Sequence, residues 1–139
     1  MYKENKSLTS PPQRQTMTET TRDIRVDVDC YYIQELSEPF NQVWYFGADI
    51  TLTNNSNSPI HVVGHDWVIT DASGDTERHQ SDENQSQLNP KESFTYAAEC
   101  ELGTPFGAIE GYYSVLNLEG EEFRVKIPPT LMTLPFAVN

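Results

Sequence analysis

From Asp23 onward the apolar residues of this chain recur at every second position. Ile24, Val26, Val28 and Cys30 fall on one side of an extended segment, and Arg25, Asp27 and Asp29 on the other. Period-two alternation is the mark of a half-buried strand. Glu35-Leu36-Ser37-Glu38-Pro39 reads as a turn, because Pro39 lacks a backbone donor and steers Glu38 away from helix. Trp44, Phe46, Ala48, Ile50 and Leu52 alternate along a second strand that ends in the turn-rich Asn54 to Pro59. A third strand runs from Ile60 to Thr70 with Val63, Trp67 and Ile69, and Asp71-Ala72-Ser73-Gly74 closes it. The polar stretch Thr76 to Asn89 begins as a short strand and continues as an exposed loop. Ser93 to Tyr96 forms a fifth strand, the Gly103-to-Gly107 turn follows, and Ala108 to Leu118 forms a sixth. Glu119-Gly120 is a hairpin turn leading to Phe123, Val125 and Ile127, and Pro128-Pro129 ends that last strand.

About seven short strands, no long amphipathic helix and regular turn signals predict an all-β, immunoglobulin-like or fibronectin type III-like sandwich of antiparallel strands. Cys30 and Cys100 do not bracket Trp44 and Trp67 in the antibody manner, so the fibronectin variety fits better. Residues 1–22 lack any periodic apolar pattern and are rich in Ser, Thr, Gln and Pro, which predicts a disordered tail. The folded domain is then 23–139. Met17 stands just before that boundary as an alternative start, with residues 1–16 an upstream addition.

At 139 residues the chain has the size of one domain with a self-sufficient core. Nine Lys and Arg against 21 Asp and Glu give a formal charge of -12. Nucleic acid binding draws on clustered cations, so nucleic acid is not an expected partner, and anionic membranes are repelled. No apolar run reaches the roughly 18 residues of a spanning helix, and no secretory signal opens the sequence. The two cysteines lack CxxC spacing; reduced thiols in a cytoplasmic protein are the default, with a single bridge as the other option.

Three segments resemble the ApaG family. Trp67-Val68-Ile69-Thr70-Asp71-Ala72-Ser73-Gly74 is similar to its W-x-I-T-D-A-x-G. Phe94-Thr95-Tyr96, Cys100 to Gly107 with Thr104-Pro105-Phe106-Gly107, and Gly111-Tyr112-Tyr113 resemble F-x-Y…C-x-L-x-T-P-x-G-x-M-x-G-x-Y. Phe123 to Pro128 is similar to F-x-V-x-I-P. The resemblance covers roughly residues 23 to 130 and implies a fibronectin-like sandwich. It further implies a cytoplasmic bacterial protein of undefined biochemistry, linked by family name to cobalt and magnesium tolerance. Similar domains in eukaryotes are attached to F-box proteins, where protein–protein interaction is the usual proposal. Trp67, Thr70, Asp71, Thr104, Pro105 and Gly107 are the motif positions taken as candidate contacts.

Two departures from the family pattern narrow the function. Many relatives carry G-x-G-x-x-G after the W-x-I-T-D strand, associated with pyrophosphate; here that loop reads Gln80 to Gln87 without glycine and with Asp82 and Glu83. Phosphate cradles use close backbone N–H groups and repel carboxylates. His65 also replaces an arginine common in relatives, and Thr130 replaces an aromatic after I-P, with Leu131, Leu134 and Phe136 expected to supply a similar apolar plug.

His61 and His65, four apart on a strand, share a face as surface histidines, with Asp66 facing the other way and His79 in the polar loop. No metal site is expected from them, nor from Asp75, Glu77, Asp82 and Glu83, which lack EF-hand spacing. Cys100 reads as a small buried hydrophobe and Trp67 and Tyr96 as core. No nucleophile motif appears. The sequence therefore points to a non-catalytic binding module without a cofactor, contacting another protein through an exposed sheet face or edge strand, with outward tyrosines among Tyr31, Tyr32, Tyr45, Tyr112 and Tyr113. Self-association into a homodimer is a further expectation. The alternative is a nucleotide-, pyrophosphate- or divalent-cation-linked protein.

Overall fold

A computed structural model describes residues 14–82 and 86–135. Among these, nine strands follow in order: β1 Gln15–Thr21, β2 Ile24–Tyr32, β3 Trp44–Asn54, β4 Ile60–Asp71, β5 Thr76–Ser81, β6 Ser86–Leu88, β7 Ser93–Leu102, β8 Phe106–Leu116 and β9 Glu122–Thr133. Two single-turn 3-10 segments, Gln34–Leu36 and Pro39–Asn41, lie between β2 and β3. One sheet has the order β9-β8-β4-β5, with β6 pairing the early part of β4; the other has the order β1-β2-β3-β7. Every pairing is antiparallel. The architecture is the expected two-sheet β-sandwich.

The alternating residues read from the sequence are the ones the two sheets turn toward each other. Ile24, Val26, Val28, Phe46, Ala48, Ile50 and Leu52 of one sheet meet Val62, Trp67, Ile69, Ile109, Tyr113, Val115, Val125 and Ile127 of the other, all buried. Each large aliphatic side chain so buried contributes about 1.5–3 kcal/mol, enough in sum to explain why this chain folds without a staple.

Three expectations are corrected. Residues 15–21 are a strand, so the tail predicted for 1–22 stops before them; residues 1–13 lie outside the described part. Gln-Thr-Met-Thr-Glu-Thr-Thr carries no apolar alternation because neither face of this edge strand is buried. It is held by backbone pairing to β2, by Thr18 Oγ1 donating to Asp27 Oδ1 at 2.6 Å, and by Arg14, which pairs with Asp29 and lies 4.4 Å over the Tyr31 ring. Pro128-Pro129 does not end the last strand. β9 runs on to Thr133 after a register irregularity between Ile127 and Thr130; the outer position of β9 in its sheet makes the missing donors tolerable. The loop expected after the start of β5 is partly strand, with Gln80 and Ser81 in β5 and Ser86 and Gln87 in β6. Glu83, Asn84, Gln85 and Phe136 lie outside the described residues.

The histidine reading also changes. The β4–β8 ladder slips between Val62 and Gly64, and a bulge of one residue reverses which side chains face the core. His61 is exposed while His65, only 8% exposed, points inward beside Trp67. Asp66 faces the outer side as expected, yet it too is covered, at 5% exposed.

The two long sides of the sandwich differ. On one, β9 packs over β1 and β2, the Lys126 N–H reaches Thr21 Oγ1 at 3.4 Å, Arg22 forks onto Glu121 at 3.0 and 3.1 Å, and the Arg22 guanidinium lies 4.2 Å over Phe123. On the other, the outermost strands are β5 and β7.

Candidate functional site

Five of the six motif positions converge on one corner of the fold. Asp71 ends β4 and organises its turn: its Oδ1 accepts the Ser73 and Asp75 N–H groups at 2.9 and 3.0 Å, and Gly74, at φ +91°, donates to the Asp71 carbonyl at 3.1 Å. Thr104 Oγ1 accepts the Ala72 N–H at 2.9 Å and donates to the Phe106 carbonyl at 2.8 Å, binding the second turn to the first. Gly107 pairs with Asp71, and a Cβ there would collide with the Thr70 carbonyl oxygen. Pro105 is half-buried within that turn. The polar contacts of this corner join the two turns to each other, so the motif has a sufficient structural reason.

Trp67 stands apart from that corner, in the core. His65 stacks on it with centroids 3.9 Å apart and planes 9° from parallel. Tyr113 meets both rings edge-on at 6.0 Å, and Phe94 packs against Tyr113 at 6.2 Å. Tyr96 was expected in the core but is 37% exposed; it covers the stack from the open side, 5.1 Å from Trp67. His79, expected in a loop, is a half-buried residue of β5 with its ring 6.4 Å from Trp67. Burial raises the pKa of the Tyr113 hydroxyl, which has no hydrogen-bond partner among the described residues.

On the outer face, Asp66 collects side chains from two neighbouring strands. Arg78 of β5 grips both its oxygens at 3.0 and 2.9 Å, Gln80 donates at 2.9 Å and the Tyr112 hydroxyl at 3.2 Å. These donors, Arg78 foremost, hold the carboxyl down at about 2 against the desolvation they impose. Arg124 lies 4.1 Å over Tyr112. The cluster rivets β5 to the sheet.

The open side carries features that the sequence did not single out. Two adjoining depressions of about 500 and about 460 Å³ run along β7. Glu77 and His79 of β5 and Cys100 line the first; Leu36, Glu38 and Val43 line the second; Tyr45, Glu99 and Glu101 are common to both. Tyr45 donates its hydroxyl to Glu101 at 3.0 Å, which raises the phenol's pKa. Cys100 and Cys30 are free thiols whose burial pushes both up to about 12, so they stay protonated at neutral pH. Beside the groove, Glu38 bridges Val43 with bonds of 2.8 and 3.1 Å, Asn41 bonds the Glu38 carbonyl at 2.8 Å, and Gln42 takes a left-handed φ of +59°. This tight tip presents Phe40 at 101% exposure. An alternation scan misses it because a lone aromatic between Pro39 and Asn41 belongs to no strand.

Among the described residues no group of three or more His, Cys, Asp or Glu has metal-ligand geometry, and no helix is long and apolar enough to cross a membrane. The outward tyrosines are Tyr31, Tyr45 and Tyr112, while Tyr113 is buried and Tyr32 packs on Phe46 at 5.5 Å.

Fold and corner motif together define a small antiparallel β-sandwich domain with paired turns at one end. A family model described as the ApaG domain matches residues 34–117. Protein ApaG of Agrobacterium fabrum is 36% identical over 118 residues, 83% of this chain and 91% of that protein. Protein ApaG of Vibrio cholerae serotype O1 is 31% identical over 119 residues, 84% of this chain and 94% of that protein. Among solved structures, the putative ApaA protein of Bordetella pertussis superposes with a TM-score of 0.79 at 29% identity, covering 90% of this chain and 98% of that one. The chain belongs to the ApaG family.

Proposed function

We propose that this protein is a non-catalytic binding module that contacts another protein along the open side of its sandwich. The observation that carries the reading is β7, a ten-residue strand paired on one edge only among the described residues and flanked by the carboxylate groove. A long free edge offers unpaired N–H and C=O groups to an incoming strand. Phe40 supports it, because a fully exposed aromatic on a hydrogen-bonded tip contributes nothing to the domain's own core and suits an interface anchor. The buried protonated thiols suit a reducing compartment such as the cytoplasm. Carboxylates along the groove disfavour an anionic ligand, so protein contact is favoured over a pyrophosphate-linked role.

Photo-crosslinking tests this. A benzophenone amino acid placed at Glu99, in the groove, is compared with one at Glu110, exposed on the opposite sheet. In extract of the native cell, discrete protein adducts are expected from position 99 and few from position 110. Equal labelling at the two positions overturns the reading.

A further inference from the structure

We propose that the occupant of this open side is an extended, lysine- or arginine-bearing segment of another protein that adds to the free edge of β7 as an antiparallel or parallel strand. This rests on the open side being a contact surface and supplies the chemistry of what fills it. The free backbone edge carries the inference, and the side chains around it select the occupant.

Along β7 the side chains divide cleanly between two faces. Glu99 and Glu101 stand on the outer face, opposite Gly47 and Tyr45 of β3; Tyr96, Ala98 and Cys100 stand on the inner face, opposite Ile50, Ala48 and Phe46. A strand added to this edge continues the same alternation. Its outward residues fall beside Glu99 and Glu101, with Glu38 further along the groove. Its inward residues fall toward Tyr96 and the mouth of the seam. The outward face of β7 is neutral at Ser93, Thr95 and Ala97 and acidic at Glu99 and Glu101, so the edge asks for cations at the two outward positions beside those carboxylates and apolar residues between them.

Charge also disfavours the nearest competitor. A second copy pairing antiparallel through β7 about Cys100 brings Glu99 of one molecule across from Glu101 of the other, and like charges directly across strands are destabilising. The chain's charge of -12 adds to the repulsion. Acidic side chains on an exposed edge normally discourage self-pairing; here the same carboxylates leave the edge open to a basic strand.

The test uses a synthetic peptide of β7's length alternating lysine with valine, and a glutamate–valine counterpart, with the full chain. Amide exchange by NMR reads occupancy of the edge. The lysine peptide is expected to slow exchange along β7 and to leave β9 unchanged, while the glutamate peptide does neither. The double variant Glu99→Lys/Glu101→Lys, at exposed positions, is expected to weaken the lysine peptide at least tenfold. No binding of the lysine peptide, binding that protects no β7 amide, equal binding of both peptides, or β7 protection that grows with protein concentration alone each overturn the proposal. Should the peptide fail while crosslinks still favour position 99 over 110, only the basic occupant is lost and the contact surface stands.

Discussion

Along one side of the sandwich β9 lies over β1 and β2, whereas along the other β5 and β7 are the outermost strands among the described residues. The closed side is joined by Val125 and Ile127 in the core, by the Arg22–Glu121 fork and by the Lys126-to-Thr21 bond. The open side holds carboxylates, a half-buried histidine and a partly exposed tyrosine in the equivalent place. Both sides belong to the same two sheets, so the difference lies in what the outermost strands carry. Apolar and paired residues seal one seam, and charge keeps the other from sealing against itself.

That contrast predicts unequal sensitivity to mutation. Ile127→Ala removes a fully buried side chain under the closed side and is expected to cost about 2–5 kcal/mol, read as a lower urea midpoint with an unchanged slope. A loss under about 1 kcal/mol would mean the closed seam is not where the stability resides.

Next in size is Asp66→Asn. The carboxylate holds β5 through Arg78 and Gln80, and hydrogen bonds to a charged group are worth about 1.5–3 kcal/mol. Its folded pKa of about 2 lies below the ordinary value, so the ionised form is stabilised on folding. That stability is present above the unfolded pKa of about 4 and is lost as pH falls toward about 2. Wild type and variant should therefore differ most near neutrality and converge across that window. A difference constant from pH 7 to pH 2 would show that shape, rather than charge, holds β5.

Arg22→Ala probes the exposed rim of the closed side. Surface ion pairs are worth about 0.2–1 kcal/mol, and stacking on Phe123 adds a similar small amount. The expected loss is smaller than that of Asp66→Asn, read as a smaller drop in urea midpoint, and it shrinks in high salt because screening weakens the charged part.

Most of the fold was legible because one face of each central strand is buried, which writes period two into β2 and β3. The edges were less legible for the same reason. β1 buries neither face and was taken for a tail, and β9 runs through two prolines that an inner strand could not hold. A single bulge between Val62 and Gly64 sufficed to place His65 in the core rather than on the surface, and its trace in the sequence is only a change of apolar phase from Ile60 and Val62 to Trp67 and Ile69. The motif residues were found, yet Thr70, Asp71, Thr104 and Gly107 prove to hold two turns together. The groove went unseen because Glu38, Glu77, Glu99 and Glu101 are scattered over three parts of the chain and meet only when β5 and β7 become neighbouring edges.

The smallest expected effect is the most discriminating for the open side. Glu99→Lys/Glu101→Lys changes two exposed side chains on β7, and each reversal adds two charges, so the formal net charge moves from -12 to -8. Tyr45 loses its bond to Glu101, a pair worth under about 1 kcal/mol at an exposed site. Reduced self-repulsion in an acidic chain acts in the opposite direction. The stability change should stay within about 0.5 kcal/mol. A larger loss would make these carboxylates part of what holds β7 in place. A negligible change leaves them as surface chemistry that the domain does not need for its own fold, which is the condition for their being kept for a partner.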